Sequence, residues 1–347
     1  MRIAQVAPIW GRCPPEKYGG IELIVSLLTE ELVRRGHDVT IFATGNSITK
    51  ANLRSIYDKP PRELVGSPIP GLLHAQYAFQ TCKFETPRFD VIHSHIGILG
   101  IVLSSFLPTP TLHTLHGIFP ESAKKLFLLN KDKFYNSVSD SQRVGCPELN
   151  YVCTVYNAID VEKFEFNPKK KDYFIFISRF SPEKGVHLAI EIAKRVGIKL
   201  IISGKVDPCD REYYQTKIKP FVDGEQIIEV PELEFQEKVK LYGEAKAFIF
   251  PLQWSEPFGL VMIEAMATGT PVIAFKRGSV PEIVKNEATG WVVDTVDEMI
   301  SIVKTVDSLS DGRRAAIAMA CRKHVESNFS VERMIDDYER AYEVITR

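Results

Sequence analysis

The chain has 347 residues, 45% hydrophobic and 25% charged, with a formal net charge of −1. That is an ordinary globular composition with room for about two domains, and it offers no bulk attraction to nucleic acid. Six scattered cysteines form no C-x-x-C pair, which argues against a zinc site and suits reduced thiols in a cytoplasm.

The opening residues MRIAQVAPIW read directly as a strand, not as a signal peptide. No apolar run reaches the roughly 18 residues that span a bilayer, so a cytoplasmic location is expected. Next come an amphipathic helix (GIELIVSLLTEELVRRGH) and strands in DVTIFAT, DVIHSHI, TPTLHTLHG and KFYNSVSD. A polar break, TVYNAIDVEKFEFNPKKKD, interrupts the pattern. The alternation then restarts. Strands are expected in YFIFISRF, IKLIISG, KAFIFPL and TPVIAF, and helices in KGVHLAIEIAKRVG, EFQEKVKLYGEA, FGLVMIEAMATG and SVPEIVKN. A last helix, SVERMIDDYERAYEVITR, closes the chain. The expected fold is α/β: two facing Rossmann-like, doubly wound parallel-sheet domains, with a cleft between them. The boundaries fall at 1–160 and 161–329, with 330–347 as a terminal helix.

Ligands of such sheets bind beyond the carboxyl ends of the strands, so the post-strand residues carry the functional reading. Gly19 and Gly20 follow the first strand and open a helix, where free N–H groups suit a phosphate; a plain helix-start loop is the alternative. Glu22 reads more simply as a helix-dipole partner than as a cleft residue. No G-x-G-x-x-G or P-loop is present. Arg179 follows a strand, and Lys184 lies five residues on at the mouth of a helix, together an anion trap. His93-x-His95 lacks a third ligand for zinc, so no metal site is expected. His116, at a strand exit before a glycine, is the better cleft residue. Glu256 sits in a post-strand loop, and Phe258, Gly259 and Leu260 bring backbone N–H groups to the start of the next helix. Glu264 shares a face with Leu260 and suits hydrogen bonds from a sugar diol. Two carboxylates in so apolar a run point to a partner outside the chain more than to capping by the protein itself.

Taken together, SEPFGLVMIEAMATGTPVIA resembles the E-x7-E motif of retaining, GT-B-fold, family 4 glycosyltransferases. SRFSPEKG resembles their R-x4-K segment, YGGIE their glycine loop, and TLHG their N-domain histidine. More narrowly, PPEKYGGIE and SGKVDPCDREYY resemble a bacterial subgroup labelled UDP-glucose:tetrahydrobiopterin glucosyltransferase-like. The resemblance implies that Arg179 and Lys184 hold the donor diphosphate and Glu264 the nucleotide ribose. Glu256, with the amides of Phe258, Gly259 and Leu260, would contact the donor sugar and phosphates. His116 would touch the sugar near the reacting carbon, and Gly20 would approach the phosphate. The last helix would pack back on the N-terminal domain. Where the family often has glycine-x-glycine, this chain has SGKVDP, so Lys205 adds a cation near the phosphates or base.

The implied activity is retaining, metal-independent transfer of a hexose, glucose first, from a nucleoside-diphosphate sugar, UDP first, to a hydroxyl. No cofactor is expected, since the nucleotide sugar is a co-substrate. The acceptor, whether small molecule, glycan or lipid, is unnamed by the sequence; its contacts are expected on variable loops within 45–85 and 117–133. A nucleotide-sugar 2-epimerase and a non-catalytic nucleotide-sugar-binding protein are the alternatives. PESAKKLFLLNKDKFY reads as a helix packed on its own domain, with weak peripheral membrane contact as the second reading.

Overall fold

A computed structural model of the chain describes residues 1–17 and 19–347. It comprises two compact units, Met1–Ala158 with Val331–Arg347, and Ile159–Ser330.

The first unit is built on seven parallel strands: β1 (Arg2–Val6), β2 (Asp38–Phe42), β3 (Asn52–Arg54), β4 (Val91–Ser94), β5 (Thr111–Thr114), β6 (Phe134–Ser137) and β7 (Tyr151–Thr154). Their spatial order is β3-β2-β1-β4-β5-β6-β7. Chain order reverses between β1 and β4, where Gln5 stands opposite His93 in register. This is the switch point at which such sheets take ligands. The inner strands β1, β2, β4, β5 and β6 are buried along almost their whole length, as expected of a parallel sheet covered by helices on both faces. β4 is buried at all four positions even though it carries His93 and Ser94. The last helix, Val331–Thr346, belongs to this unit and buries Met334, Ile335, Tyr338, Ala341, Tyr342 and Ile345, a stripe at helical spacing. Arg35, just past the helix Gly20–Arg34, fastens its far side through Asp336 (2.6 Å) and Glu339 (2.5 Å).

The second unit has six parallel strands: β8 (Phe174–Ile177), β9 (Leu200–Ser203), β10 (Ile227–Val230), β11 (Phe248–Phe250), β12 (Val272–Phe275) and β13 (Gly290–Val293). The order β10-β9-β8-β11-β12-β13 puts its switch point between β8 and β11. Phe174, Phe176, Phe248 and Phe250 fill the centre, with the rings of Phe248 and Phe250 stacked at 5.2 Å.

Several elements have no counterpart in the sequence reading. The segment 45–85, expected as variable loop, contains β3 and a sixteen-residue helix, Ile69–Phe84. Strands β7, β10 and β13 and the helices Val296–Asp307 and Asp311–Asn328 were likewise unread. In the lysine-rich stretch after residue 119 the helix is only Lys124–Leu129. It packs through buried Phe127, edge-on to Phe119 at 5.1 Å, while Leu129 is exposed. No helix among the described residues is long and apolar enough to cross a membrane.

Candidate active site

In the second unit, the carboxyl ends of β8, β9 and β11 bring the expected residues together. Arg179 lies two residues beyond β8, and its guanidinium binds Glu183 and, at 3.3 Å, Asp207 beyond β9. Asp207 also takes Lys205 at 2.6 Å. Burial pushes the Asp207 carboxyl up, but the hydrogen bonds and charges of Lys205 and Arg179 outweigh it and hold the group below the usual range. Lys184 ends the short turn Pro182–Lys184 and is nearly buried. Its ammonium donates to Glu256 Oε2 at 2.5 Å and lies 4.6 Å from the Trp254 ring centre. Trp254 Nε1 donates to the same oxygen at 2.9 Å.

The helix Leu260–Ala267 starts at Gly259, whose φ of +81° is a left-handed conformation that suits glycine. A helix leaves its first amides without an intrahelical partner; here the Met262 amide already turns to the Gly259 carbonyl at 3.0 Å. Glu264 lies one turn in, buried, and Lys238 of the helix Phe235–Glu244 donates to it at 2.8 Å. Phe258 is buried edge-on to Phe329, and its carbonyl accepts from Ser279 Oγ at 2.7 Å.

The carboxylates of Glu256 and Glu264 do not lack partners in their own chain: each carries a lysine. Sequence distance hides this, because Lys184 is 72 residues from Glu256 and Lys238 is 26 from Glu264. Nor are Arg179, Lys184 and Lys205 a bare cationic trap. They stand against Glu183, Asp207 and Glu256, three charges against three, so an incoming anion meets cations that already hold carboxylates. An ammonium has three N–H donors, so Lys184 can keep Glu256 while binding a second acceptor. Gly278 was missed. A β-carbon there would lie 2.3 Å from the Glu256 carbonyl oxygen, and its φ is +52°. The only signal was glycine in the loop after β12, which reads as an ordinary turn.

In the first unit, His116 follows β5 and lines a hollow of about 260 Å³ with Ile21, Ile98, Leu115, Ile118 and Phe127. His95 lies beside it, Nδ1 to Nε2 at 3.0 Å. Burial lowers the pKa of His116 to about 4 and that of His95 well below the ordinary value. His113 goes elsewhere, to Ser104 Oγ at 3.2 Å. Gly20 begins the helix Gly20–Arg34. Gly19 is extended there, and a β-carbon on it would meet Pro15 at 2.7 Å. Glu22 lies in the first turn of that helix, as the dipole reading expects, and is buried against Gly11 and Gly19 with its carboxyl raised by burial. Tyr18 of the glycine loop lies outside the described residues. Among the described residues no group of three or more His, Cys, Asp or Glu is placed to hold a metal ion.

The sequence profile of Glycosyltransferase Family 4 matches residues 18–155, and that of Glycosyl transferases group 1 matches residues 159–324. The chain belongs to the GT-B glycosyltransferases of group 1 and family 4. This glycosyltransferase is 26% identical to an uncharacterized glycosyltransferase of Methanocaldococcus jannaschii, over 99% of this chain and 98% of that one. Its fold resembles sucrose-phosphate synthase from Thermosynechococcus elongatus, with a TM-score of 0.82, 20% identity, and 99% and 98% of the two chains covered. It also resembles Anabaena HepE, solved in complex with UDP-glucose, with a TM-score of 0.76, 17% identity, and 99% and 100% covered.

Proposed function

We propose that the protein transfers a hexose, glucose in the first instance, from a UDP-sugar to a hydroxyl acceptor, with retention at the anomeric carbon and without a metal ion. The observation that carries this reading is the grouping in the second unit of Arg179, Lys184 and Glu256 beside the left-handed start of the helix Leu260–Ala267, with Glu264 one turn in. The complex of HepE with UDP-glucose supports the choice of donor.

In this reading the Arg179 fork and the Lys184 ammonium take the donor diphosphate, helped by the helix-start amides of Gly259 and Leu260. Glu264, held by Lys238, accepts hydrogen bonds from the ribose hydroxyls. Glu256 and Phe258 shape the loop against the sugar and phosphates, and Lys205 lies toward the phosphates or base. In the first unit, the ring of His116 suits a sugar hydroxyl, and Gly19 and Gly20 suit the close approach of a phosphate to the backbone. As the bond from the anomeric carbon to the diphosphate breaks, negative charge grows on the leaving oxygen. Fixed cations and amides stabilise that charge with little reorganisation. The acceptor oxygen bonds to the same face of the carbon, and its proton passes to the departing phosphate.

The test is product analysis with UDP-glucose and a panel of hydroxyl acceptors in EDTA. An α-linked product formed in EDTA is expected. A β-linked product would overturn retention, and activity lost in EDTA but restored by Mg²⁺ would overturn metal independence. Turnover of the donor alone, with no acceptor consumed, would favour an epimerase.

A further inference from the structure

A run of hydrogen bonds through the interior of the first unit links His116 to the last helix. His116 Nε2 and His95 Nδ1 are 3.0 Å apart, and His95 Nε2 is 3.0 Å from Gln5 Oε1. Gln5 Nε2 donates to the Tyr342 hydroxyl at 3.1 Å, and that hydroxyl lies 2.7 Å from His93 Nδ1. His93 Nε2 is 2.6 Å from Thr114 Oγ1, which donates to Asn136 Oδ1.

The direction of the whole run is set at its far end. Asn136 Nδ2 faces the Ser137 carbonyl at 3.5 Å and the Tyr338 hydroxyl at 3.4 Å. A carbonyl only accepts, so the amide nitrogen must be on that side and the amide oxygen must face Thr114. Thr114 therefore donates to Asn136 and accepts from His93 Nε2–H. In a neutral ring that leaves His93 Nδ1 bare, so Tyr342 O–H donates to it. The Tyr342 oxygen then accepts from the Gln5 amide, whose carbonyl accepts from His95 Nε2–H. His95 Nδ1 is consequently bare and accepts from His116 Nε2–H. Burial keeps the three rings neutral, so each carries a single N–H.

We infer that Tyr342, Gln5 and Asn136 are positioning residues that lock His116 in the Nε2–H tautomer, presenting its Nδ1 as a hydrogen-bond acceptor for a ligand hydroxyl. His116 Nδ1 has no hydrogen-bond partner among the described residues, and the ring lines a hollow whose other walls are mostly apolar. A bare ring nitrogen there suits a sugar O–H and is mismatched to a carboxylate or phosphate oxygen, which can only accept. The identity of the ligand as a hexosyl donor rests on the function proposed above. The tautomer does not.

The test is long-range ¹H–¹⁵N correlation spectroscopy of the full chain with ¹⁵N-labelled histidine, His116 being assigned from the spectrum of His116→Gln. In the wild type, His116 is expected with a protonated Nε2 and a bare Nδ1; a protonated Nδ1 would overturn the inference without any variant. Tyr342→Phe removes the acceptor that holds the Gln5 amide. The amide then turns over, and His116 is expected to show a protonated Nδ1 in part or in full. A His116 signal identical to that of the wild type would refute the role of Tyr342. The same variant is expected to weaken UDP-glucose binding about tenfold, the scale of one uncharged hydrogen bond, while leaving UDP alone unaffected. If the wild-type tautomer is as inferred but UDP-glucose does not bind, the donor reading fails and the relay stands.

Discussion

The ion pair between Lys184 and Glu256 separates stability from ligand binding. The two side chains are only 11% and 9% exposed, and Nζ lies 2.5 Å from Oε2. Lys184→Met keeps the stem of the side chain and its contact with Trp254 but strips Glu256 of its counter-charge. Only the Trp254 N–H, at 2.9 Å, then serves that oxygen. Breaking a buried pair by removing one partner costs about 3–5 kcal/mol, because a charge is left uncompensated. For a unit of this size that is a fall of about 6–20 °C in melting temperature. Adding Glu256→Gln removes the stranded charge while its amide oxygen still accepts from Trp254, so most of the stability should return. UDP affinity should not return with it, since the cation is gone. Scanning calorimetry with urea titration gives the stabilities, and isothermal titration with UDP gives the affinities. A loss below about 1 kcal/mol in Lys184→Met, typical of an exposed pair, would mean that Lys184 does not neutralise a buried charge. So would a double variant no more stable than the single one.

Gly278→Ala is expected to displace the Glu256 loop, because the new β-carbon would lie 2.3 Å and 2.4 Å from the Glu256 backbone oxygen and nitrogen. UDP-glucose affinity and melting temperature should fall together, and unchanged values of both would mean the loop does not rest on Gly278. His74 is buried, with Nε2 2.9 Å from the Ala7 carbonyl, and burial lowers its pKa to about 4. Between its unfolded value of about 6.5 and about 4 the unfolded chain binds the extra proton, so stability falls as the pH falls through that window. His74→Phe should flatten that dependence by about one proton in urea titrations at successive pH values; an unaltered slope would show that His74 does not titrate as described.

What could be read from the sequence follows a physical division. The central strands of the second unit, such as β8 and β12, are short apolar runs, and they were legible. The helix Ile69–Phe84 was not, because Pro68, Pro70 and Gly71 at its start look like loop punctuation. Its apolar residues also show no clean stripe: Leu72 and Leu73 are exposed while His74 is buried. Placement of Arg179, Lys184, Glu256 and Glu264 after strands was legible, since a parallel sheet sends its strand exits to one edge. Their partners were not. Lys238 reaches Glu264 from a neighbouring helix, and Asp207 meets Arg179 from the next strand exit, contacts set by packing rather than by spacing. The polar run from His116 to Asn136 was equally hidden, because it joins four strands and a helix at the opposite end of the chain.

The most direct measurement is isothermal titration with UDP, GDP and ADP and then their glucose conjugates, on the wild type and on Glu264→Ala. We predict that UDP binds, that UDP-glucose binds more tightly, and that Glu264→Ala weakens both by about the same factor through the ribose contact. Wild-type protein that takes up none of these ligands, or Glu264→Ala that binds UDP as the wild type does, would contradict the proposed donor site.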